Sequence, residues 1–286
     1  MRVIFVNEYH NGDLFHCKSF VTDIMNQLPQ ENFIFTHHMS TKVLSDVPIS
    51  QGRMMESIGR NPMFNLGDDI IINTWIGAWF DRGLEYTNEC TLRFNYSIYR
   101  EVYKALGLKL GPIEQYYPSI DFSKFDVSNV DEFALRKNNR KMILIANGNC
   151  HSGQCDYNGD MKQFIINLAT MFPDMIFIAT QRFSNHALEN IKFTSDITKV
   201  EGNDLNEIGY LSKFCDIIIG RNSGPYCFST HAENIDNQDK TFLAFGERET
   251  DCFYHGLPVR AKYLFHKYID NNILQDVLVN LVKGEN

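Results

Sequence analysis

Apolar residues fall along this chain in two rhythms. Short unbroken runs, Val3-Ile4-Phe5-Val6, Phe33-Ile34-Phe35 and residues 69–74, 142–146, 175–180, 216–220 and 241–246, are too short for helices. They read as strands, and the run at 216–220 (DIIIG) suits one buried on both faces of a parallel sheet. Residues 196–200 form a weaker candidate strand. Between the runs, apolar residues recur at helical spacing. Leu14, Phe20, Val21, Ile24 and Leu28 mark a helix over 14–28 that follows a turn at 10–13 and closes at Pro29. Leu92, Tyr96, Tyr99, Val102, Tyr103 and Leu106 mark another over 91–108, stopped by Gly107 and Gly111-Pro112. Residues 162–171 and 273–282 are two more, and Leu205, Ile208, Leu211 and Phe214 give a short one at three-residue steps.

This order repeats in two blocks. Residues 38–66 show little periodicity and carry Pro48, Gly52, Gly59 and Pro62; a loop of that length inside a domain is more often functional than idle. Residues 113–140 lose hydrophobic density and read as a bridge. The organisation expected is a first lobe over 1–115, a linker over 116–140, a second lobe over 141–270 and a terminal helix over 271–286. Strands alternating with helices in both blocks predict an α/β chain of two Rossmann-like, doubly wound lobes. Such sheets bind ligands outside the carboxyl ends of their strands. The residues to watch therefore follow strands: 10–13, 74–79, 147–160, 181–183 and 221–225. Loops so placed on two lobes would line a cleft between them.

The stretch around which the chain is organised is Asp204–Ser229. A helix leads into the 216–220 strand, Arg221-Asn222-Ser223-Gly224-Pro225 breaks it, and a second helix begins at about Tyr226. Backbone N–H groups at such a strand-to-helix turn suit an anion, typically a phosphate or diphosphate, and Pro225 fits a first helical turn. The plainer reading is an ordinary turn in an α/β domain.

Composition narrows the class. With 44% hydrophobic and 22% charged residues in 286, a packed core is expected rather than disorder. A formal charge of −8 with no basic run argues against nucleic acid as a partner. No span is apolar and long enough to cross a membrane, and the first apolar run is too short for a secretory leader. The seven cysteines are an odd number without paired spacing, which suits reduced thiols in a cytoplasmic protein. His10, Asp13 and His16 invite a metal reading, as do Cys150, His151 and Cys155, yet neither set has the spacing of a zinc site.

The segment running helix, apolar strand, Gly220, two residues, Ser223-Gly224-Pro225, helix resembles the nucleotide-sugar loop of the heptosyltransferase-like glycosyltransferases, family 9, with the GT-B fold. Asn11-Gly12-Asp13-Leu14 after the first strand resembles the same family's other signature. The resemblance implies inverting transfer of a sugar from a nucleotide-diphosphate sugar to the hydroxyl of a glycan or glycolipid, with no metal or other cofactor. It implies Asp13 as catalytic base and Ser223, Gly224 and Pro225 as the diphosphate loop; His10 and Gly12, beside Asp13, are expected on the acceptor side. The family's Asp before Ser-Gly is Asn222 here, and residues 147–160 lack its phosphate-binding Lys. Arg221 and Arg182, each after a strand, are the expected substitutes, because arginine's fork suits phosphate oxygens. Gly148 and Ser152 are expected to contact phosphate or sugar hydroxyls, Trp75 and Trp79 to stack on the acceptor, and Glu247 or Glu249 to hold a ribose.

Each assignment has a plainer rival: Asp13 as a helix cap alone, the arginines as surface ion pairs, the tryptophans as core, 147–160 as a surface loop. Rival functions are a nucleotide-sugar epimerase or hydrolase, a non-catalytic nucleotide-sugar binder and a partner-binding scaffold. The chain is expected in the cytoplasm. Peripheral contact with the inner face of a membrane, through residues 38–66, and the oligomeric state stay open.

Overall fold

The computed structural model describes residues 2–53, 57–82, 90–150, 160–184, 187–249, 252–267 and 271–284. Two compact units divide the chain, Met1–Lys124 and Phe125–Asn286. In the first, β1 (Arg2–Asn7), β2 (Asn32–His37), β3 (Ser50–Arg53), β4 (Met63–Leu66) and β5 (Asp69–Asn73) form one sheet in the order β3-β2-β1-β5-β4. Parallel neighbours flank β1 on both sides, with Val3 opposite Phe33 and Ile70. That central position explains why Val3 and Phe5 are fully buried and why the strand is an uninterrupted apolar run.

Two helices cover this sheet, α1 (Asn11–Gln27) and α2 (Thr91–Leu106). Phe20 of α1 stacks between Tyr99 of α2, at 4.2 Å between centroids, and Tyr116, at 4.3 Å, with the planes within 5° of parallel. Two nearby tyrosine hydroxyls converge on one carboxylate. The Asp23 carboxylate accepts from the Tyr103 hydroxyl at 2.6 Å and the Tyr116 hydroxyl at 3.0 Å. Lys18 and Asp46, both nearly buried, pair at 2.6 Å. Gly107 ends α2 in the left-handed conformation that glycine adopts without a Cβ penalty.

In the second unit, β6 (Met142–Ala146), β7 (Ile176–Ala179), β8 (Ile191–Phe193), β9 (Ile217–Arg221), β10 (Thr241–Gly246) and β11 (Lys262–Lys267) form a sheet in the order β11-β10-β9-β6-β7-β8, with every pairing parallel. The helices are α3 (Ser128–Leu135), α4 (Lys162–Met171), α5 (Thr194–Thr198), α6 (Leu205–Ser212), α7 (Gly224–Ser229), α8 (Ala232–Ile235) and α9 (Asn271–Lys283). One face of the sheet packs Ile143, Ile145, Phe177 and Ile219 against Ile165 and Leu168 of α4 and Leu281 of α9. The loop from α6 into β9 is fastened by Lys240, whose buried ammonium donates to the carbonyls of Ser212, Lys213 and Cys215. Ser212 is the last residue of α6, and Lys213 and Cys215 belong to the loop that follows it.

Several expectations are corrected. The first helix starts at Asn11, so Asn11 and Gly12 are helical rather than a turn. Residues 38–66 are not one long loop, since β3 and β4 lie within them on the two edges of the sheet. β3 (SQGR) carries no apolar residue, and β4 (MFNL) and β11 (KYLFHK) are edge strands whose apolar residues do not alternate with polar ones, so period-two alternation cannot mark them. The weak strand expected at 196–200 is α5 instead. Ile191 and Phe193 are the inward residues that pair with β7, so the strand is used up before Thr194. Within 116–140 the chain forms α3, whose Asp131 accepts from the Tyr210 hydroxyl of α6 at 2.8 Å.

At Gly220, β9 runs against β6 so closely that a Cβ would stand 2.6 Å from the Ala146 Cβ and 3.1 Å from its carbonyl oxygen. Gly220→Ala is therefore expected to force the two strands apart and destabilise the protein by about 1–3 kcal/mol, read from the midpoint of urea denaturation.

Candidate functional site

In the first unit the polar residues gather where β1 and β5 end. Asn7 and Asn73 close their strands as buried side chains, 0% and 1% exposed. Each turns its carbonyl oxygen onto a backbone N–H two residues ahead, Asn7 to Tyr9 at 2.9 Å and Asn73 to Trp75 at 3.0 Å. The Asn7 amide donates to the Thr74 hydroxyl at 2.9 Å, tying the two turns together. Glu8 faces elsewhere, its carboxylate accepting from the Ser57 hydroxyl and the backbone N–H groups of Ile58 and Gly59.

After this turn His10 caps α1 with its backbone, in an extended conformation and without a side-chain cap. Asp13 is the third helical residue, not the N-cap that its plainer reading supposed. Backbone N–H groups of His10 and Asp13 favour its ionised form, as in the returning half of a capping box, but desolvation of this half-buried side chain outweighs them. The carboxyl is thereby pushed up to about 6. Cys17, one turn on, is pushed up to about 12, first by burial and further by the Asp13 charge; its thiol interacts with Thr74 and with Tyr99. His10 is exposed, whereas His16 lies inside, its ring pushed down to about 3 by burial. Gly12 is half-buried in the first turn of α1. Among the described residues, no group of three or more His, Cys, Asp or Glu is placed to hold a metal ion.

The two tryptophans part company. Trp75 is half-buried and its ring lies 4.0 Å from that of Tyr9. Trp79 is 4% exposed and donates its indole N–H to the Asn73 carbonyl at 2.8 Å, so it belongs to the core and fixes the end of β5.

In the second unit, β6, β7 and β9 end side by side. Asn147 binds the β6 and β7 ends together, its amide donating to the Gln181 carbonyl and its oxygen accepting from the Gln181 N–H at 2.7 Å. Gly148 lies against the Gln181 side chain, where a Cβ would come within 2.9 Å. Arg221, the last residue of β9, is wholly buried and donates to the Gly148 carbonyl at 3.1 Å and the Asn147 carbonyl at 3.4 Å. Its guanidinium thus braces the 147–148 turn. Arg182 is an exposed residue paired with Asp196 and lying over the Phe193 ring, the surface ion pair of its plainer reading. Ser152, with His151 and Cys155, lies outside the described residues.

The turn after β9 is tight. The Ser223 N–H donates to the Arg221 carbonyl at 2.6 Å, and the Ser223 carbonyl accepts the first bond of α7 from Cys227. Asn222 accepts from the Cys227 thiol at 3.2 Å, a bond that holds its side chain on α7. Gly224 and Pro225 form the first turn of α7. Ser223 stands at the N-cap, yet its hydroxyl bonds no helix N–H and is buried without a partner. A buried hydroxyl without a partner carries a cost that a bound acceptor or donor atom would remove. Glu247 and Glu249 follow β10, and Glu249 pairs with His255 at 3.2 Å.

No family model and no curated protein sequence matches this chain. Solved structures do. The E. coli heptosyltransferase WaaC with ADP-2-deoxy-2-fluoro heptose superposes with a TM-score of 0.56 at 8% identity, over 100% of both chains. The family 9 glycosyl transferase from Veillonella parvula DSM 2008 gives 0.55 at 11% identity, over 97% of this chain and 91% of that one. The E. coli ADP-heptose LPS heptosyltransferase II gives 0.51 at 11%, over 100% of each. The fold is GT-B. At such identities the likeness is one of architecture, and the chemistry of this GT-B chain has to be argued from its own residues.

Asp13 offers a direct check. A carboxyl near 6 in the folded chain and about 3.9 unfolded makes the native state hold the extra proton, so stability falls as pH rises from about 4 to 6 and then levels. Asp13→Asn removes that ionisation. Above pH 7 the variant is expected to be more stable than wild type by about 1–3 kcal/mol, the difference vanishing near pH 4, by urea denaturation across this range.

Proposed function

We propose that this chain is a glycosyltransferase that moves a sugar from a nucleotide-diphosphate sugar to an acceptor hydroxyl, with inversion and without a metal. The observation that carries the reading is Asp13. It is a carboxylate at the carboxyl edge of a parallel sheet, in the first turn of a helix, with its proton affinity raised to about 6 by burial. A general base works best with a pKa near the working pH, and Asp13 is raised toward it. In the reaction Asp13 takes the proton of the acceptor hydroxyl as its oxygen attacks the anomeric carbon and the nucleoside diphosphate departs. The Ser223–Pro225 turn, with the first N–H groups of α7 and the unpartnered Ser223 hydroxyl, meets the charge on the departing diphosphate. Arg221 holds the neighbouring 147–148 turn in shape rather than touching phosphate itself.

The E. coli heptosyltransferase WaaC, of the same fold, has been solved with ADP and with ADP-2-deoxy-2-fluoro heptose, which makes adenosine-diphosphate sugars the first donors to try. The acceptor is a glycan or glycolipid. The site of action is the cytoplasm, at or near the membrane face where such precursors are built; among the described residues no helix is long and apolar enough to cross a membrane.

The test is a thermal-shift panel of ADP, GDP, UDP and CDP and their sugars, followed by transfer assays with the best binder. Transfer should rise with pH through about 6 and then level, as Asp13 ionises. Asp13→Asn should lower kcat by about 10²–10⁴ while the nucleotide shift in Tm persists. A folded Asp13→Asn protein with near wild-type transfer would remove Asp13 from the mechanism. Release of free nucleotide or an altered sugar without any acceptor would favour the epimerase or hydrolase instead.

A further inference from the structure

The ends of β1 and β5 carry the same short motif. An apolar strand runs into Asn, then one residue, then an aromatic: Val6-Asn7-Glu8-Tyr9 and Ile72-Asn73-Thr74-Trp75. The two strands are parallel neighbours, with Val6 opposite Asn73. Both asparagines are buried and both accept from the backbone N–H of their own aromatic. An Asx turn of this kind fixes where the chain leaves the strand. Made twice on adjacent strands and joined through Asn7 to Thr74, it delivers the two rings to one place, 4.0 Å apart at their centroids with planes 32° apart.

The rings are held from behind. A Cβ on Gly77 would stand 2.2 Å from the six-membered ring of Trp75, so only glycine lets the indole settle there. In front they are open: Tyr9 is 36% exposed and Trp75 only half-buried. Core aromatics in this unit, such as Tyr99 and Trp79, are 0% and 4% exposed by comparison. A tilted pair built by two buried carboxamides, with the Tyr9 ring on the water side, is a prepared surface rather than spare core.

We propose that Tyr9, backed by Trp75, forms a rigid platform that seats the C–H face of a neutral pyranose ring, the acceptor sugar of the reaction proposed above. The C–H bonds of a sugar face are weakly positive and meet the negative face of an aromatic ring favourably. Charge selects the class. Thr74, between the two motifs, meets Cys17, whose thiol feels the Asp13 charge, so platform and carboxylate share one end of the sheet. An anionic sugar would be repelled by an ionised Asp13, and a neutral one would not. The name acceptor rests on the transferase reading; the binding of a neutral pyranose does not.

Saturation-transfer NMR on the full chain with methyl β-D-glucopyranoside and methyl β-D-galactopyranoside tests this. Saturation should reach the ring C–H protons of at least one of them. Tyr9→Ala and Trp75→Ala should each weaken binding about tenfold, a loss comparable to one aromatic contact. Tyr9→Phe should retain binding. Folded Ala variants, checked by circular dichroism, that bind as wild type overturn the platform, as does absence of NMR saturation on both sugars. If the platform binds sugar but no nucleotide-sugar is consumed, the transferase reading falls and the platform stands. If transfer proceeds at wild-type KM in both Ala variants, the platform falls alone.

Discussion

A parallel strand buried on both faces has no room for a polar group along its length, so its chemistry is confined to the point where it ends. Both sheets of this protein obey that constraint. Val3 to Val6 and Ile217 to Ile219 are apolar, and the first polar residues, Asn7 and Arg221, appear as each strand runs out. Those two residues are themselves buried and spend their hydrogen bonds on the backbone of neighbouring turns. Each shapes a surface without being part of it. The groups proposed to meet a ligand come two to six residues past a strand end: Tyr9, Asp13, Trp75 and Ser223.

Burial has a second consequence at Asp13. The helix N-terminus and two backbone N–H groups favour its charged form, and desolvation opposes them with larger effect. That balance is the one the base role proposed above requires. Lys18 and Asp46 show how the same unit treats a buried charge whose role is structural: it is paired at 2.6 Å with both carboxylate oxygens engaged.

The arginines divide along similar lines. Both follow apolar strands, which is why both are candidates for phosphate on sequence grounds. Arg221 ends a central strand and is drawn inward to carbonyls that would otherwise lie unpaired at the sheet end. Arg182 follows β7 next to the edge strand β8, where Asp196 and the Phe193 ring are within reach and water is close. Position in the sheet order, not residue type, separates a brace from a surface ion pair.

How much of this was legible in the chain follows from what local pattern can encode. Unbroken apolar runs announced the inner strands β1, β5, β6, β9 and β10, since double burial leaves a direct mark on composition. The helical spacing of α1, α2 and α4 was equally plain. Asp13 and the Ser223–Pro225 turn could be singled out because each sits at a strand-to-helix junction visible in one dimension. The half-exposed edge strands β3, β4 and β11 left no such mark, because they owe their conformation to a neighbour's hydrogen bonds. The paired Asn-x-aromatic motifs were present in the sequence, but their meaning depends on β1 and β5 being adjacent. Only the sheet order makes Tyr9 and Trp75 partners, buries Trp79 and Arg221, and leaves Arg182 outside. Those decisions belong to contacts between residues tens of positions apart, which no local spacing records.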